Sequence, residues 1–356
     1  MPRQQYLHEV GGFPRNGRKP ECSGMARHAC SAIGRRGPRE PLDSRSIPGG
    51  LMQDTGTAVP DTQQNVALSR NCLVCSSPAF ELVVARVNGS RYSILRCTEC
   101  GLQYLDPVPS QEELKQIYTA RYYRAWGMEN GETSAVAVMK KHTFALRLKE
   151  LEKVVERGPI LDVGTASGFF LEVAQSRGFA PYGVEISEYS GKLAVEKFGV
   201  DHIHLGTLET APFPKKSFRA IAMSDLLEHV PDPLATLRLA REFLEEGGVL
   251  QIVTPDTDAF SRKCMGSTWT QYKAEHLSYW NAHVLRLAAK EAGYRVLSVR
   301  RAQKVMTLRF LNAQLAVYSH SVLTPLIRIG QTALRPLQDY HFRVSMGEMA
   351  ALLQKA

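Results

Sequence analysis

Four cysteines of the sequence occur as two close pairs that could hold a metal ion. The pairs are Cys72-x-x-Cys75 and Cys97-x-x-Cys100, and a glycine follows the second. Each Cys-x-x-Cys turn can present two thiolates to one tetrahedral ion, and the intervening hairpin would bring the two turns together. Because four thiolates close the coordination shell of zinc, the sequence predicts a structural Zn²⁺ site formed by Cys72, Cys75, Cys97 and Cys100.

A turn of small residues lies further along, in the stretch Ile160-Leu-Asp-Val-Gly-Thr-Ala-Ser-Gly168. It follows an apolar run typical of a buried strand and precedes a helical pattern, so its backbone can approach a ligand closely. Glu185 lies at the end of the next predicted strand, where a carboxylate can accept both hydroxyls of a ribose. The G-x-A-x-G spacing departs from the dinucleotide fingerprint and no P-loop lysine follows, so the pattern predicts a different nucleoside ligand.

The stretch around Asp162 resembles motif I of the class I S-adenosylmethionine-dependent methyltransferases, whose usual form is acidic-x-Gly-x-Gly-x-Gly. The resemblance implies that Asp162 orients the methionine amine through the turn and that Glu185 binds the adenosyl ribose. Ala166 stands where glycine is commoner, a change that we expect the fold to tolerate if φ is negative there. The cofactor contacts expected from the resemblance are Asp162, Gly164, Ala166, Gly168, Glu185, Ile186, Leu208 and Ser224.

Three further segments resemble the same family. Residues 207–218 are similar to its adenine-side loop, although Thr207 replaces the usual acid and Arg219 stands where aspartate is favoured. The segment Ser224-Asp-Leu-Leu-Glu-His-Val-Pro-Asp-Pro233 resembles the one that follows strand 4 of the family's sheet. The cysteine pairs, with the Gln-Tyr and Pro-Val-Pro that come after them, resemble the amino-terminal zinc module of several bacterial sugar and small-molecule methyltransferases.

Three titratable residues, Asp225, Glu228 and His229, follow directly after a predicted strand, where ligands of open α/β sheets collect. Methyl transfer from a sulfonium is an in-line displacement, so positioning supplies much of the rate and a base near an acceptor hydroxyl would help. His229 is the first candidate for this base, and a hydrogen-bonded loop histidine is the alternative. Since a similar segment of the ubiquinone-pathway O-methyltransferases is linked to a divalent metal, Mg²⁺ on these three residues is a further hypothesis.

Residues 269–280, Trp-Thr-Gln-Tyr-Lys-Ala-Glu-His-Leu-Ser-Tyr-Trp, form a segment that we call the aromatic segment. It resembles the acceptor-side Glu-His-Leu-x-Tyr-Phe loop of the family. Aromatic rings with an embedded Glu-His pair suit a sugar or a planar acceptor, on which they can stack while the polar groups form hydrogen bonds. Glu275 and His276 therefore join His229 as catalytic candidates, with core packing as the alternative for Trp269 and Trp280.

The elements that must position these residues alternate between strands and helices. Apolar runs predict strands over 160–163, 182–186, 202–205, 220–224, 249–254 and 295–299. Helical patterns lie between most of them, over 168–177, 188–198, 233–245 and 282–292. Together with the resemblance and a last strand near 348–353, this predicts an α/β fold, a mainly parallel Rossmann-like methyltransferase sheet with an antiparallel last strand and a small N-terminal zinc ribbon.

Composition and punctuation divide the 356 residues into five parts. The expected parts are a disordered tail over 1–68, a zinc-ribbon-like module over 69–110, a helical linker over 111–157, the S-adenosylmethionine-binding core over 158–304, and a helical lid with the terminal strand over 305–356. The net charge of +9 is spread between the tail and the late arginines, which argues against a nucleic-acid partner. The lid region, near 308–337, has a membrane-surface helix as its alternative.

The leading hypothesis is an enzyme that moves a methyl group from S-adenosylmethionine to a hydroxyl or carbon of a saccharide or biosynthetic intermediate. An RNA- or protein-modifying methyltransferase and a non-catalytic binding module are the alternatives. The odd number of cysteines predicts a reducing compartment, and the sequence shows neither a membrane span nor a secretory signal, so the expected location is the cytoplasm. A monomer and a homodimer are both compatible with these patterns.

Overall fold

The computed structural model describes residues 71–110, 112–114, 135–311 and 338–356. The predicted N-terminal tail over 1–68 lies outside the described residues, as do most of the predicted lid region near 308–337 and part of the predicted helical linker over 111–157. Within the described ranges, no helix is both long enough and apolar enough to cross a membrane.

Strands and helices alternate along most of the described chain. The strands are β1 (Phe80–Val84), β2 (Ser93–Cys97), β3 (Gln103–Asp106), β4 (Pro159–Val163), β5 (Ala180–Glu185), β6 (Ile203–Leu205), β7 (Phe218–Ser224), β8 (Leu244–Pro255), β9 (Ser278–Tyr279), β10 (Tyr294–Arg301), β11 (Lys304–Thr307), β12 (His341–Val344) and β13 (Glu348–Lys355). The α-helices are α1 (Ala135–Leu151), α2 (Phe169–Ser176), α3 (Glu188–Phe198), α4 (Pro233–Phe243), α5 (Phe260–Met265) and α6 (Ala282–Glu291).

Seven strands form the central sheet, in the spatial order β10-β13-β8-β7-β4-β5-β6. The neighbouring strands from β8 to β6 pair in parallel, whereas β13 is antiparallel to both β8 and β10. The strands and helices predicted for this half of the chain are present at nearly the predicted positions. The expected α/β fold, with a mainly parallel sheet and an antiparallel last strand, is confirmed.

Local sequence fixes where three of the helices begin. The side chains of Ser187, Asp232 and Asn281 each accept a hydrogen bond from a backbone N–H in the first turn of the helix that follows. Such caps satisfy donors that have no partner within the helix, and each contributes about 1 kcal/mol. These caps fix the first residues of α3, α4 and α6. They therefore also fix the ends of the loops that precede these helices.

The central sheet is buried on both faces, because successive residues of its strands pack into two different clusters. Leu161 and Ile221 belong to one hydrophobic cluster, and Ile160 and Ala220 belong to the other. Alternate side chains of a strand point to opposite faces, so a strand covered on both sides becomes apolar along its whole length. This explains why continuous apolar runs marked the strands in the sequence.

A second sheet contains four antiparallel strands in the order β1-β2-β3-β9. The first strand, β1, ends at Val84, and Val87–Gly89 then forms a 3-10 turn in which Asn88 has a φ of 51°. The sequence patterns missed β3 and β9, which have four and two residues. With β9 in place, the cysteine module pairs directly with the aromatic segment.

The hairpin of β11 and β12 packs beside α1. The Thr143 hydroxyl in α1 donates to the backbone of Met139 and accepts a 2.9 Å hydrogen bond from the N–H of Val305. Leu148 and Leu151 of α1 are fully buried against the core, so the described part of the predicted linker covers the central sheet. Strand β11 begins at Lys304, so the predicted boundary between residues 304 and 305 falls inside this strand. The five-part division otherwise stays a prediction.

Candidate active site and cysteine cluster

The four cysteine sulfurs converge beside the four-stranded sheet. Sγ of Cys72 lies 3.4 Å from that of Cys100, Sγ of Cys75 lies 3.5 Å from that of Cys97, and all four lie within 4.8 Å of one another. The sulfurs of a tetrahedral zinc site with bonds of about 2.3 Å would lie about 3.8 Å apart. The hydrogen bond between Cys72 and Cys100 lowers the pKa of the Cys72 thiol to about 4 and raises that of the Cys100 thiol, so the two sulfurs share a proton that a bound metal ion would displace. The cluster therefore fits Zn²⁺, whose binding stays a prediction.

The turn between β4 and α2 is held against β5 by its own backbone. The N–H groups of Gly164 and Thr165 both donate to the carbonyl of Val184, at 2.8 and 3.1 Å. Gly168 has a φ of 83°, and a Cβ at this position would lie 2.8 Å from the Phe198 ring. Position 168 therefore requires glycine for both its backbone conformation and its close packing on α3.

Ala166 occupies the middle of this turn with a φ of 50°, so the condition under which we expected alanine to be tolerated, a negative φ, is not met. The turn is constrained on both sides: the N–H of Ala166 donates to Glu185 Oε2 at 2.7 Å, and Gly168 N–H donates to the carbonyl of Thr165. A left-handed conformation costs a residue with a Cβ about 1–2 kcal/mol. The structure thus tolerates alanine at the expense of local strain.

Replacing Ala166 with glycine should therefore stabilise the protein by up to about 1 kcal/mol, because glycine adopts this φ without penalty. Urea denaturation of both forms measures the difference. Ala211, with a φ of −65°, provides a matched control. The change Ala211→Gly should instead destabilise the protein by about 0.5–1 kcal/mol. Equal destabilisation by both changes would contradict the assigned strain.

Glu185 joins the glycine turn to the loop after β5. Its two carboxylate oxygens accept backbone hydrogen bonds from Ala166, at 2.7 Å, and from Ser187, at 2.8 Å. Burial raises the pKa of this carboxyl, while the backbone donors oppose the rise. Each carboxylate oxygen has a second lone pair, so the group can hold the turn and still accept ligand hydroxyls. This geometry suits the predicted contact with a ribose.

The other predicted cofactor residues surround the same turn but differ in exposure. Asp162 is 4% exposed, and burial raises its pKa to about 7, so a neighbouring ammonium group would stabilise its ionised form. Ile186 is 73% exposed directly after β5, whereas Leu208 is buried in the core. The Ser224 hydroxyl is buried, without a hydrogen-bond partner among the described residues. Their contacts with S-adenosylmethionine stay predictions.

Asp225 follows β7 with a φ of 55° and lies among cations. Burial favours a raised pKa for Asp225, but the charges of Lys304, Arg147 and Lys140 outweigh it and the pKa is lowered. Arg147 Nη2 lies 3.5 Å from Asp225 Oδ2 and 3.7 Å from Glu348 Oε2. An Mg²⁺ ion here would meet a carboxylate already surrounded by positive charge, so this arrangement does not favour the hypothesised magnesium site.

His229 and His276 lie side by side, with ring centroids 4.7 Å apart, and Glu228 is within reach of both. His229 Nδ1 donates a 2.9 Å hydrogen bond to the backbone carbonyl of Glu275, which assigns the tautomer with the acceptor lone pair on Nε2. Burial lowers the pKa of His229 to about 4 and also lowers that of His276. Both rings are therefore neutral at pH 7.

The catalytic candidates differ in how far their side chains are exposed. His276 is 5% exposed, and its Nδ1 has no partner among the described residues, whereas His229 is half-buried and more accessible. Glu275 contributes its backbone carbonyl to this group through the bond to His229. Trp269 and Trp280 are fully buried, so core packing is the role that the structure gives these two rings. His229 is thus the best placed of the three candidates to contact an acceptor.

The sequence pointed to Glu228 together with Asp225 and His229, whereas two cations near this group, Arg147 and Lys304, carried no signal there. Glu228 is 1% exposed, accepts a 2.8 Å hydrogen bond from Thr254, and has its pKa raised to about 8 by burial and by Asp225. Arg147 and Lys304 come from α1 and β11, far from Asp225 in the chain. No local motif joins such residues, because only the folded chain brings them together.

Comparison with known proteins agrees with this topology. Residues 138–299 match the family model described as a methyltransferase domain. Among curated relatives are ubiquinone biosynthesis O-methyltransferases of Saccharophagus degradans, 29% identical over 28% of this chain and 44% of the relative, and of Idiomarina loihiensis, 32% identical over 25% and 39%. That of Histophilus somni is 25% identical over 42% of this chain and 63% of the relative. The chain thus spans less than half the length of the first two relatives.

Solved structures with a similar chain course include two S-adenosylmethionine-dependent methyltransferases. The structure from Thermotoga maritima is 19% identical and covers 68% of this chain and 98% of its own, with a TM-score of 0.43. The structure from Aquifex aeolicus is 15% identical and covers 59% and 89%, with a TM-score of 0.39. The family match and the order of the seven strands lead to one conclusion: residues 138–299 belong to a class I S-adenosylmethionine-dependent methyltransferase domain.

Proposed function

We propose that this protein transfers the methyl group of S-adenosylmethionine to a hydroxyl oxygen of a small acceptor, with His229 as the general base. The observation that carries the proposal is the fixed neutral tautomer of His229, set by its bond to the Glu275 carbonyl. Transfer to oxygen is favoured over transfer to carbon because the curated relatives are named as O-methyltransferases. A saccharide or a phenolic biosynthetic intermediate is the proposed acceptor class.

S-adenosylmethionine supplies a methyl group on positively charged sulfur, an electrophile that needs no metal or acid to activate it. In this proposal the glycine turn and Glu185 bind S-adenosylmethionine. His229 lies beyond the end of β7, at the carboxyl edge of the same sheet. As the acceptor oxygen forms its bond to carbon, Nε2 of His229 takes the hydroxyl proton, and the electron pair of the broken C–S bond stays on sulfur. A neutral ether and an imidazolium result.

Two measurements test this function. Calorimetry with S-adenosylmethionine should show binding in the micromolar range, and product formation should appear as S-adenosylhomocysteine release in a panel of catechols and saccharides. Absence of binding up to low millimolar concentrations would leave a non-catalytic module as the better account. Amines and RNA are assayed beside this panel, and methylation confined to either of them would exclude the hydroxyl acceptor.

The His229→Ala variant should lose about 10²-fold in kcat, the usual contribution of a general base, with an unchanged affinity for S-adenosylmethionine. His283, an exposed histidine in α6, provides the control variant His283→Ala, which should leave both quantities unchanged. Because the base is active when neutral and its pKa is about 4, kcat of the wild type should stay level from pH 8 to about 5 and fall below. A fall centred near pH 6.5 would contradict this assignment.

A further inference from the structure

The short strand β3 lies between the cysteine module and the aromatic segment. On one side Tyr104 pairs with Leu95 of β2, and on the other side it pairs with Ser278 of β9. The N–H of Leu105 also donates to the carbonyl of Leu277, at 3.2 Å. The backbone of β3 therefore connects the cysteine hairpin by hydrogen bonds to the residues that follow His276, so a displacement of the hairpin would also displace those residues.

Tyr104 also contacts the cysteine cluster through its side chain. Its hydroxyl lies 3.1 Å from Sγ of Cys72 and accepts a 2.8 Å hydrogen bond from the N–H of Leu73. The side chain is 2% exposed, and its ring packs edge-on against Phe80. A single buried residue of β3 thus contacts one predicted metal ligand through its side chain and β9, the strand of the aromatic segment, through its backbone.

The module and the aromatic segment share one hydrophobic core. Its buried residues come from both parts, with Val84, Val87, Tyr92, Ile94 and Leu105 on the module side and Trp269, Tyr272, Leu277 and Tyr279 on the segment side. Inside this core, the Tyr272 hydroxyl donates to Gln103 Oε1 at 2.9 Å. Since each side supplies only part of the buried surface, loosening the module exposes apolar groups of the segment as well.

The aromatic segment in turn holds the residues next to β7. The N–H groups of Leu277 and Ser278 donate to the carbonyl of Glu228, at 2.7 and 3.3 Å, and the Glu275 carbonyl accepts from His229. Continuous contacts therefore run from Cys72 through Tyr104 and the segment to His229. The glycine turn is anchored separately, on Val184 and Glu185 of β5.

We propose that the metal-loaded cysteine module positions the acceptor side of the site, and that Tyr104 is the positioning residue that connects the module to the aromatic segment and to His229. The cofactor side is independent of this connection. The name "acceptor side" rests on the proposed function, but the mechanical coupling does not, and it can be measured without any acceptor.

Hydrogen exchange with mass spectrometry on the full zinc-loaded chain tests the coupling. The change Tyr104→Phe keeps the ring and removes the hydroxyl, so exchange over 269–280 and 226–230 should accelerate about tenfold, the factor for one lost buried hydrogen bond. Exchange over 160–168 should stay unchanged. The control is Tyr294→Phe, which removes another buried hydroxyl bond, from Tyr294 to the Leu237 carbonyl, and should leave both regions unchanged.

Removal of the metal provides a second test of the same coupling. A zinc chelator should accelerate exchange over 269–280 and shift the emission of Trp269 and Trp280, and added Zn²⁺ should restore both, while the dissociation constant of S-adenosylmethionine stays within about twofold. Acceleration confined to 71–106, or an equal acceleration over 160–168, overturns the proposal; so does a Tyr104→Phe protein that retains wild-type exchange over 269–280. Failure of S-adenosylmethionine to bind at all would remove the proposed function but leave the coupling result intact.

Discussion

Replacing Glu185 with alanine should weaken the binding of S-adenosylmethionine by at least about 100-fold. The variant lacks the carboxylate that we predict to accept the two ribose hydroxyls, and hydrogen bonds to a charged group are each worth about 1.5–3 kcal/mol. The change also leaves the N–H groups of Ala166 and Ser187 without their carboxylate partner, so the glycine turn loses its anchor on β5. Calorimetric titration of the folded variant with S-adenosylmethionine measures the loss.

Two further variants test whether the loss of affinity comes from the missing Glu185 carboxylate or from a general disturbance of the fold. Glu185→Gln keeps one acceptor oxygen and should bind more weakly than the wild type but more tightly than Glu185→Ala. Glu188 is an exposed residue in the first turn of α3 that pairs only loosely with Lys192, and Glu188→Ala should bind normally. Wild-type affinity in a folded Glu185→Ala protein would show that the predicted ribose contact is wrong.

Replacing Cys72 with alanine should abolish zinc binding and destabilise the chain by about 3 kcal/mol or more. Binding of a structural zinc ion contributes directly to folding free energy, and the module shares its core with the aromatic segment, so the loss is not confined to one hairpin. The expected fall in melting temperature is about 5–10 °C. Metal content per chain and thermal unfolding of both proteins provide the measurements.

Cys264 offers the matched control for this experiment. It is an exposed free thiol in α5, so Cys264→Ala should retain one zinc ion per chain and an unchanged melting temperature. A Cys72→Ala protein that still carries one equivalent of zinc would contradict the four-cysteine site. An unchanged melting temperature after complete loss of zinc would contradict its structural role.

The seven-stranded sheet could be predicted because its signals are local. Parallel strands buried on both faces appear as unbroken apolar runs, and capping residues such as Asp232 and Asn281 mark helix starts. The cysteine spacing was informative for the same reason, since each turn supplies two ligands within four residues. Strands β3 and β9 escaped prediction because two to four residues that gain their stability from distant partners show no period of their own.

The site was only partly predictable. The sequence pointed to His229, His276 and Glu185 as candidates, but exposure depends on packing, and His276 is buried beside His229. Likewise, an aromatic cluster suits a stacking surface as well as a core, and the pattern alone cannot distinguish the two. Positive φ at Ala166 was missed because alanine gives no sign of a left-handed backbone. No rule of sequence spacing predicts that side chains from distant elements, such as Arg147, lie beside Asp225.

The position of β13 has a consequence for how the protein is made. This strand is inserted between β8 and β10, pairing with both along most of its length, although it follows both of them in the chain. Until β13 has been translated, the sheet therefore has a gap, and the apolar edges of β8 and β10 that face this gap have no neighbour. Closure of the gap requires contacts of high sequence separation, which form slowly. Nascent chains should thus rely on chaperones until residues 348–355 emerge.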